Sequence, residues 1–254
     1  RGLYQLIHRL KEAVKKSLLP CSMFEDMGFH YVGPINGHDL SMLDQALRYA
    51  RDLKEPVLLH VRTKKGKGYA PAERNPDAFH GVSPFAPETG KALKNSGENF
   101  SAVFGRTLGE LAEQDKQVCA ITAAMPGGTG LGKFAVDYPD RFFDVGIAEG
   151  CAVSMAAGMA KQGAVPVFAV YSTFLQRSYD MLLHDVALDH LHVVLGVDRA
   201  GLVGEDGETH HGLFDVAFLS TVPGMTVLAP ANFAELRAML FRAVEEYTGP
   251  VAVR

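Results

Sequence analysis

A carboxylate and an imidazole are the side chains in this sequence best placed to move protons, and each falls where a loop can present it to a ligand. Glu149 lies in the run DVGIAEGC (144–151), after two phenylalanines and before a segment in which Ala152, Ala156, Ala157, Gly158 and Ala160 alternate with Val153, Met155 and Met159. Small residues let backbones approach, so this pattern predicts a helix packed closely on a sheet. Glu149 then stands at a strand-to-helix turn, the place where open α/β sheets bind ligands. As a mere complement to the helix dipole it would contribute about 0.3–1 kcal/mol. His210 lies in DRAGLVGEDGETHHG (198–212), a glycine- and acid-rich stretch too long to be a simple connection. Imidazole titrates near working pH, so His210 beside Asp206 suits proton transfer. A zinc site from His210, His211 and nearby acids is disfavoured, because adjacent histidines rarely converge on one ion.

Two further stretches could hold anions or rings. YSTFLQR (171–177) leaves an apolar run and opens a helix, exposing Tyr171, Phe174 and Arg177. TKKGKGY (63–69) has three lysines and two glycines in seven residues, enough to offer cations and backbone amides to a phosphate. A solvated basic turn explains it equally well. It is not a P-loop, since the Gly-Lys-Ser/Thr ending and the following helix are missing.

The elements that must position these residues follow from periodicity. Residues 2–18 carry Leu3, Ile7, Leu10 and Val14 at helical spacing, with Lys11, Lys15 and Lys16 opposite, as in an amphipathic surface helix. Phe29–Val32 reads as a short strand, Asp39 as the cap of a helix to about Leu53, and 56–62 as a strand covered on both faces. Strand, helix, strand implies a right-handed crossover and a parallel sheet. Residues 81–98, rich in Pro, Gly and Asn after His80, read as an interdomain linker. From residue 99 the pattern predicts helix 100–113, strand 117–122, a glycine-rich turn at 127–132 into a helix, strand 141–145 continuing to about Ile147, and the Glu149 helix. Strand 165–170, helix 173–188, strands 191–197 and 225–228, helix 232–246 and strand 251–253 complete it. The fold class is α/β, with doubly wound parallel sheets, one partial (1–80) and one complete (99–254).

Composition narrows the function classes. A chain of 254 residues, 47% hydrophobic and 21% charged, suits one large or two ordinary soluble domains. A net charge of -4 gives no reason to expect nucleic acid or an anionic membrane as partner. No apolar run reaches the roughly 20 residues that span a bilayer. Cys21, Cys119 and Cys151 lack metal-ligand spacing and suit reduced thiols in a cytoplasmic protein. The chain opens on Arg1 with no methionine or signal peptide, and reads as a piece of something larger.

GPINGHD (33–39), TKKGKGY, DVGIAE, YSTFLQR and DRAGLVGEDGETHHG together resemble the 1-deoxy-D-xylulose-5-phosphate synthase family of the transketolase superfamily. YSTFLQR and DRAGLVGEDGETH are long and specific, DVGIAE is shared more widely, and the resemblance covers essentially the whole chain. It implies a thiamine-diphosphate-binding fold, with 1–80 the end of the diphosphate-binding domain and 99–254 the pyrimidine-binding domain. It also implies a homodimer that joins pyruvate, after decarboxylation, to glyceraldehyde 3-phosphate, feeding isoprenoid, thiamine and pyridoxal synthesis. Glu149 matches the glutamate that bonds the cofactor's aminopyrimidine nitrogen, a charge-assisted contact. Phe174 matches the aromatic that stacks on the pyrimidine, and Ile147 would pack against the cofactor. Tyr171, Arg177, Arg199 and Asp206 match residues of the substrate cleft, the arginines suited to the aldehyde's phosphate. His210 would handle protons, while Lys65 and His80 match groups near the diphosphate and the reacting carbon.

Two departures qualify the resemblance. Gly150-Cys151 stands where the family usually has Gln-His, which predicts altered packing and little change in chemistry. The superfamily's Gly-Asp-Gly magnesium motif is absent, so Mg2+ ligands are expected outside this chain, which should be inactive alone. Transketolase or a 2-oxoacid dehydrogenase β chain is the competing enzyme reading, and a regulatory ligand-binding remnant the non-enzymatic one. The long loop argues against the first, the TKKGKGY half-domain against the second, and the joint presence of Glu149, Phe174 and His210 against the third.

Overall fold

The computed structural model describes residues 22–93, 97–204 and 207–254, in two compact units, Arg1–Asn95 and Ser96–Arg254. The amphipathic helix expected at 2–18 and the side chain of Asp206 lie outside the described residues.

In the first unit, β1 (His30–Asn36) and β2 (Val57–Arg62) pair in parallel, joined by the helix Leu40–Leu53. Asp39 caps that helix by accepting the Met42 N–H at 3.0 Å. The expected strand 29–32 is thus longer and shifted. β2 is only partly buried rather than covered on both faces, because β1 is its sole partner among the described residues. Directly after the basic loop comes a short helix, Ala70–Arg74, where the sequence reading expected no following helix; Pro71 in its first turn suits that position, and the missing Gly-Lys-Ser/Thr ending still excludes a P-loop. A hairpin of β3 (Phe85–Ala86) and β4 (Lys91–Ala92) follows. Its Phe85 joins Tyr69 and Phe79 in an aromatic cluster with ring centroids 5.2–5.9 Å apart. The segment 81–98 therefore carries local structure of its own up to residue 93.

The second unit holds one six-stranded parallel sheet, β5 (Val118–Thr122), β6 (Phe142–Asp144), β7 (Val165–Tyr171), β8 (Val194–Asp198), β9 (Thr226–Leu228) and β10 (Val251–Val253), in the order β6-β5-β7-β8-β10-β9. Successive residues of the central strands serve opposite faces. Val118, Ala120, Val167, Ala169, Val194, Val251 and Val253 join a core beneath the helices Phe100–Gln114 and Phe233–Glu245. Ile121, Phe168, Val170, Leu195, Val197 and Ala252 join a second core beneath the helix Glu149–Lys161 and the segment 172–187. Helices on both faces make the sheet doubly wound. The chain leaves β5 for β6 on one side and reaches β7 on the other, which places a topological switch point beside β5.

Three sequence expectations are corrected. β6 ends at Asp144 and is an edge strand only partly buried, so Val145–Ile147 is loop. The Asp144 side chain ends it by accepting the N–H groups of Ala124 at 2.7 Å and Gly146 at 3.0 Å. The single helix expected at 173–188 is instead a turn of α-helix (Ser172–Leu175), a 3-10 turn (Gln176–Ser178), another α turn and a π-helical stretch (Leu182–Ala187). Apolar periodicity does not distinguish these windings, and such breaks cluster at functional sites. A short helix, Asp215–Leu219, also lies where only loop was expected.

Candidate active site

The ends of β5, β6, β7 and β8 all carry polar or glycine-rich loops at the carboxyl edge of the sheet. Glu149 is the first residue of its helix and is only 4% exposed, although no side chain caps that end. A carboxylate so deep needs partners. Its Oε1 accepts the Arg177 guanidinium at 2.6 Å, and Arg177 lies on the 3-10 turn that interrupts the helical run after β7. Arg177 is itself about half exposed and keeps further donors for a ligand.

Arg177 also lies over the Phe174 ring, 4.9 Å from its centroid. Phe174 stacks near-parallel with Tyr171, centroids 5.9 Å apart and planes at 14°, and meets His210 edge-on at 5.3 Å. Arg199 lies 4.4 Å over the Tyr171 ring. Glu149, Arg177, Phe174, His210, Tyr171 and Arg199 thus form one continuous run of contacts across the loops after β6, β7 and β8. Tyr171 is seated by Gly128, where a Cβ would come within 1.9 Å of the phenol oxygen.

The 198–212 loop is shaped by its own backbone. Gly201 and Gly212 exchange both N–H···O bonds at 2.8 Å, closing the neck of the loop. His211 Nδ1 accepts the Val203 N–H at 3.1 Å, so His211 braces the loop. His210 Nδ1 pairs with the Thr209 hydroxyl at 2.9 Å, and the Thr173 hydroxyl donates to the Thr209 carbonyl at 3.3 Å. These bonds tether His210 beside Phe174. Among the described residues no group of three His, Cys, Asp or Glu side chains could hold a metal ion.

The remaining expected residues sit elsewhere. Ile147 is 82% exposed in the loop before Glu149. Lys65 and His80 belong to the first unit: Lys65 Nζ lies 3.9 Å from Asp77, and His80 is exposed after a 3-10 turn. In the same basic loop, Lys64 and the Gly68 N–H both bind Glu73, the latter at 2.9 Å. Lys64, then the Gly68 amide, hold the Glu73 carboxyl down to about 2. The chain's own anion therefore fills part of the cradle that the sequence suggested for a phosphate. Sequence reasoning passed over Ser101, Gly128 and Asp198, which surround Arg199; the glycine run 127–132 was the one signal pointing to them.

Comparison with known proteins adds an independent line. A sequence profile described as the pyrimidine-binding domain of transketolase matches residues 97–254, and one described as 1-deoxy-D-xylulose-5-phosphate synthase matches residues 1–63. The chain is 54% identical over 254 residues to 1-deoxy-D-xylulose-5-phosphate synthase of Pelotomaculum thermopropionicum, covering 100% of this chain and 40% of that protein. It is 53% identical to the enzyme of the same name from Heliobacterium modesticaldum, over 98% of this chain and 39% of that one. The chain thus spans about 40% of the length of these relatives. Among solved structures, a split-gene transketolase described as an inactive β4 tetramer aligns over 63% of this chain and 51% of its own, with TM-score 0.55 and 29% identity. A Pichia stipitis transketolase aligns over 63% of this chain and 25% of its own, with TM-score 0.55; at 16% identity it supports the fold alone.

Proposed function

The chain belongs to the transketolase pyrimidine-binding family, on its 1-deoxy-D-xylulose-5-phosphate synthase branch, and from that premise we propose that it forms part of an enzyme joining pyruvate, after decarboxylation, to glyceraldehyde 3-phosphate. The observation that carries the proposal is the buried Glu149 carboxylate at the sheet's carboxyl edge, in contact through Arg177 with an aromatic and imidazole cluster.

These residues fit thiamine diphosphate. Glu149 has its one hydrogen bond among the described residues at Oε1, which leaves acceptor capacity for a ring N–H. Phe174 and Tyr171 offer aromatic surface beside it. Bound there, the cofactor would supply an acidic thiazolium carbon and an electron sink for the decarboxylated pyruvate carbon. The chain's own residues then take distinct parts. Glu149, only 4% exposed, would accept a hydrogen bond from the pyrimidine nitrogen, and its burial would strengthen that bond. Arg177 holds the Glu149 carboxylate in place through its hydrogen bond to Oε1. His210, tethered by Thr209 and Phe174, transfers protons to substrate oxygen. Arg199 and Arg177, with Tyr171 and Asp206, bind the acceptor's phosphate and hydroxyls. Ile147 would pack on the cofactor, and from the resemblance Lys65 and His80 are proposed to serve the diphosphate and the reacting carbon.

We assign the magnesium that accompanies the diphosphate no ligand among the described residues. We also propose that the enzyme is a cytoplasmic homodimer. Among the described residues, no helix is long and apolar enough to cross a membrane.

The test is Glu149→Gln in the full-length protein, assayed with pyruvate and glyceraldehyde 3-phosphate. Turnover should fall by roughly a hundredfold or more, the usual scale for a lost proton-transfer partner. Near wild-type turnover would remove the central assignment.

A further inference from the structure

The helix that begins at Glu149 has a glycine, Gly150, as its second residue, although glycine weakens a helix relative to alanine. A glycine there suits a close approach, and the structure shows one. A Cβ on residue 150 would lie 2.8 Å from Met181 Cε, 3.4 Å from its Sδ and 3.9 Å from its Cγ, so its three nearest neighbours would all be Met181 atoms. The thioether end of Met181 therefore occupies the space that a side chain at 150 would need. The departure noted in the sequence, Gly150 in place of a glutamine, is taken up by Met181 from the facing segment.

That facing segment also carries Arg177. Arg177 belongs to the 3-10 turn Gln176–Ser178, and Met181 ends the α turn Tyr179–Met181 that follows directly. The two side chains meet adjacent residues of the helix 149–161: Arg177 bonds Glu149 at 2.6 Å, and Met181 covers Gly150. Ser178, between them, is 0% exposed and its hydroxyl has no hydrogen-bond partner, so it adds no polar tie to the turn. Met181 itself is half-buried against the second core. A polar and an apolar contact thus stand side by side between the same two segments. Interiors are packed tightly enough that one extra methylene is felt, so the thickness of the apolar contact sets the distance at which the polar one closes.

We propose that Met181, seated on Gly150, is a positioning residue for Glu149: the pair sets the spacing at which Arg177 reaches the carboxylate, and through it the place where Glu149 receives the cofactor ring. The inference rests on the thiamine-diphosphate reading given above. Met181 acts through Arg177 and needs no contact with cofactor or substrate. A large side chain at 150 and a methionine at 181 compete for one volume, so either is accommodated only where the other is small. Residues 150 and 181 should therefore behave as one size-matched unit. Changing one alone should disturb the Glu149–Arg177 contact, by overpacking in one case and by a gap in the other.

The test measures thiamine diphosphate binding by titration calorimetry in the full-length protein with Mg2+, for wild type, Gly150→Gln, Met181→Ala and the double variant. Gly150→Gln should raise the Kd on the order of tenfold, the scale for overpacking a close contact. Met181→Ala should raise it about threefold, because a gap lets the Arg177 turn drift. Independent effects would multiply to about thirtyfold; residues in contact are non-additive, and the double variant should bind within about threefold of wild type. Met181→Leu, which conserves volume, should bind within about twofold. If Gly150→Gln folds poorly, Gly150→Ala takes its place. Its Cβ displaces only the mobile methyl end of Met181, so the Kd should rise about threefold alone and not at all beside Met181→Ala. Thermal melts of the same samples separate positioning from mere packing. Variants that melt lower yet bind the cofactor as wild type does would overturn the inference, as would Kd effects that simply multiply. A wild type that does not bind thiamine diphosphate would overturn the reading of Glu149, and the inference with it.

Discussion

Arg254 and Asp215 form an ion pair whose two halves are buried to different depths, and that difference makes a sharp prediction. Arg254 Nε and Nη2 meet Asp215 Oδ2 and Oδ1 at 2.6 and 3.1 Å, a two-pronged contact. The Asp215 side chain is 0% exposed and the Arg254 side chain 23%. The carboxylate holds the guanidinium pKa above its ordinary value, so the arginine is charged at every working pH. Removing the arginine, as in Arg254→Met, strands a carboxylate with no route to water. The cost should be about 3–5 kcal/mol, the range for breaking a buried pair. Removing the acid, as in Asp215→Ala, leaves a guanidinium that can swing outward, and the cost should be about 1–3 kcal/mol. For a domain of this size each kcal/mol moves Tm by roughly 2–4 °C. Urea denaturation followed by circular dichroism, with the slope checked for constancy, gives the three stabilities directly. Replacing both residues by apolar ones, Asp215→Leu with Arg254→Met, should recover part of the Arg254→Met loss, because no lone charge remains. If Arg254→Met proved no more costly than Asp215→Ala, the argument from unequal burial would be wrong.

Four further outcomes follow from the geometry. Gly130 has φ +78°, and a Cβ there would lie 1.9 Å from the Ser101 carbonyl oxygen, so Gly130→Ala should cost roughly 2–5 kcal/mol in a thermal melt and weaken the Arg199 network with it. The Glu73 carboxyl is held at about 2 against an ordinary 4.5, so its contribution is fully present above about pH 4.5 and lost as pH falls through about 2. Amide exchange of the 64–73 loop should loosen over that acid window in the native chain and show no such step in Glu73→Gln. Burial pushes the Cys119 thiol up to about 11 while Cys151 is exposed, so brief alkylation at pH 8 followed by peptide mapping should label Cys151 and spare Cys119. Asn232 caps the helix 233–245 by accepting the Glu235 N–H at 2.9 Å, and Asn232→Ala should cost about 1 kcal/mol in the same melts.

Much of this arrangement was legible in the residues. The near-continuous apolar runs of β5, β7 and β8, each followed by a glycine-rich or polar stretch, marked strands buried on both faces and the edge where ligands bind. Asp39 announced its helix because capping is a local interaction. What stayed hidden was set by long-range contact. The broken winding between Ser172 and Ala187 leaves the apolar spacing almost unchanged. Glu149 could be placed on its turn, but its pairing with Arg177 depends on that winding. Asp198 was read only as the first residue of the long loop, and its bond with Ser101 joins residues 97 positions apart. In the basic loop the sequence offered a ligand's phosphate and a solvated turn as equal readings; the Glu73 carboxylate is a third that spacing alone did not suggest.

The paired N–H···O bonds between Gly201 and Gly212 give the segment they enclose a degree of independence from the sheet. Because its ends are already joined, lengthening the enclosed segment costs little, about 0.6 kcal/mol for each doubling. Added length between the two glycines would be taken up inside the ring, provided that Thr209 and His210 keep their contacts with Thr173 and Phe174. The closed neck thus lets a lineage or an engineer vary the length of the loop while β8, from which it departs, stays where it is.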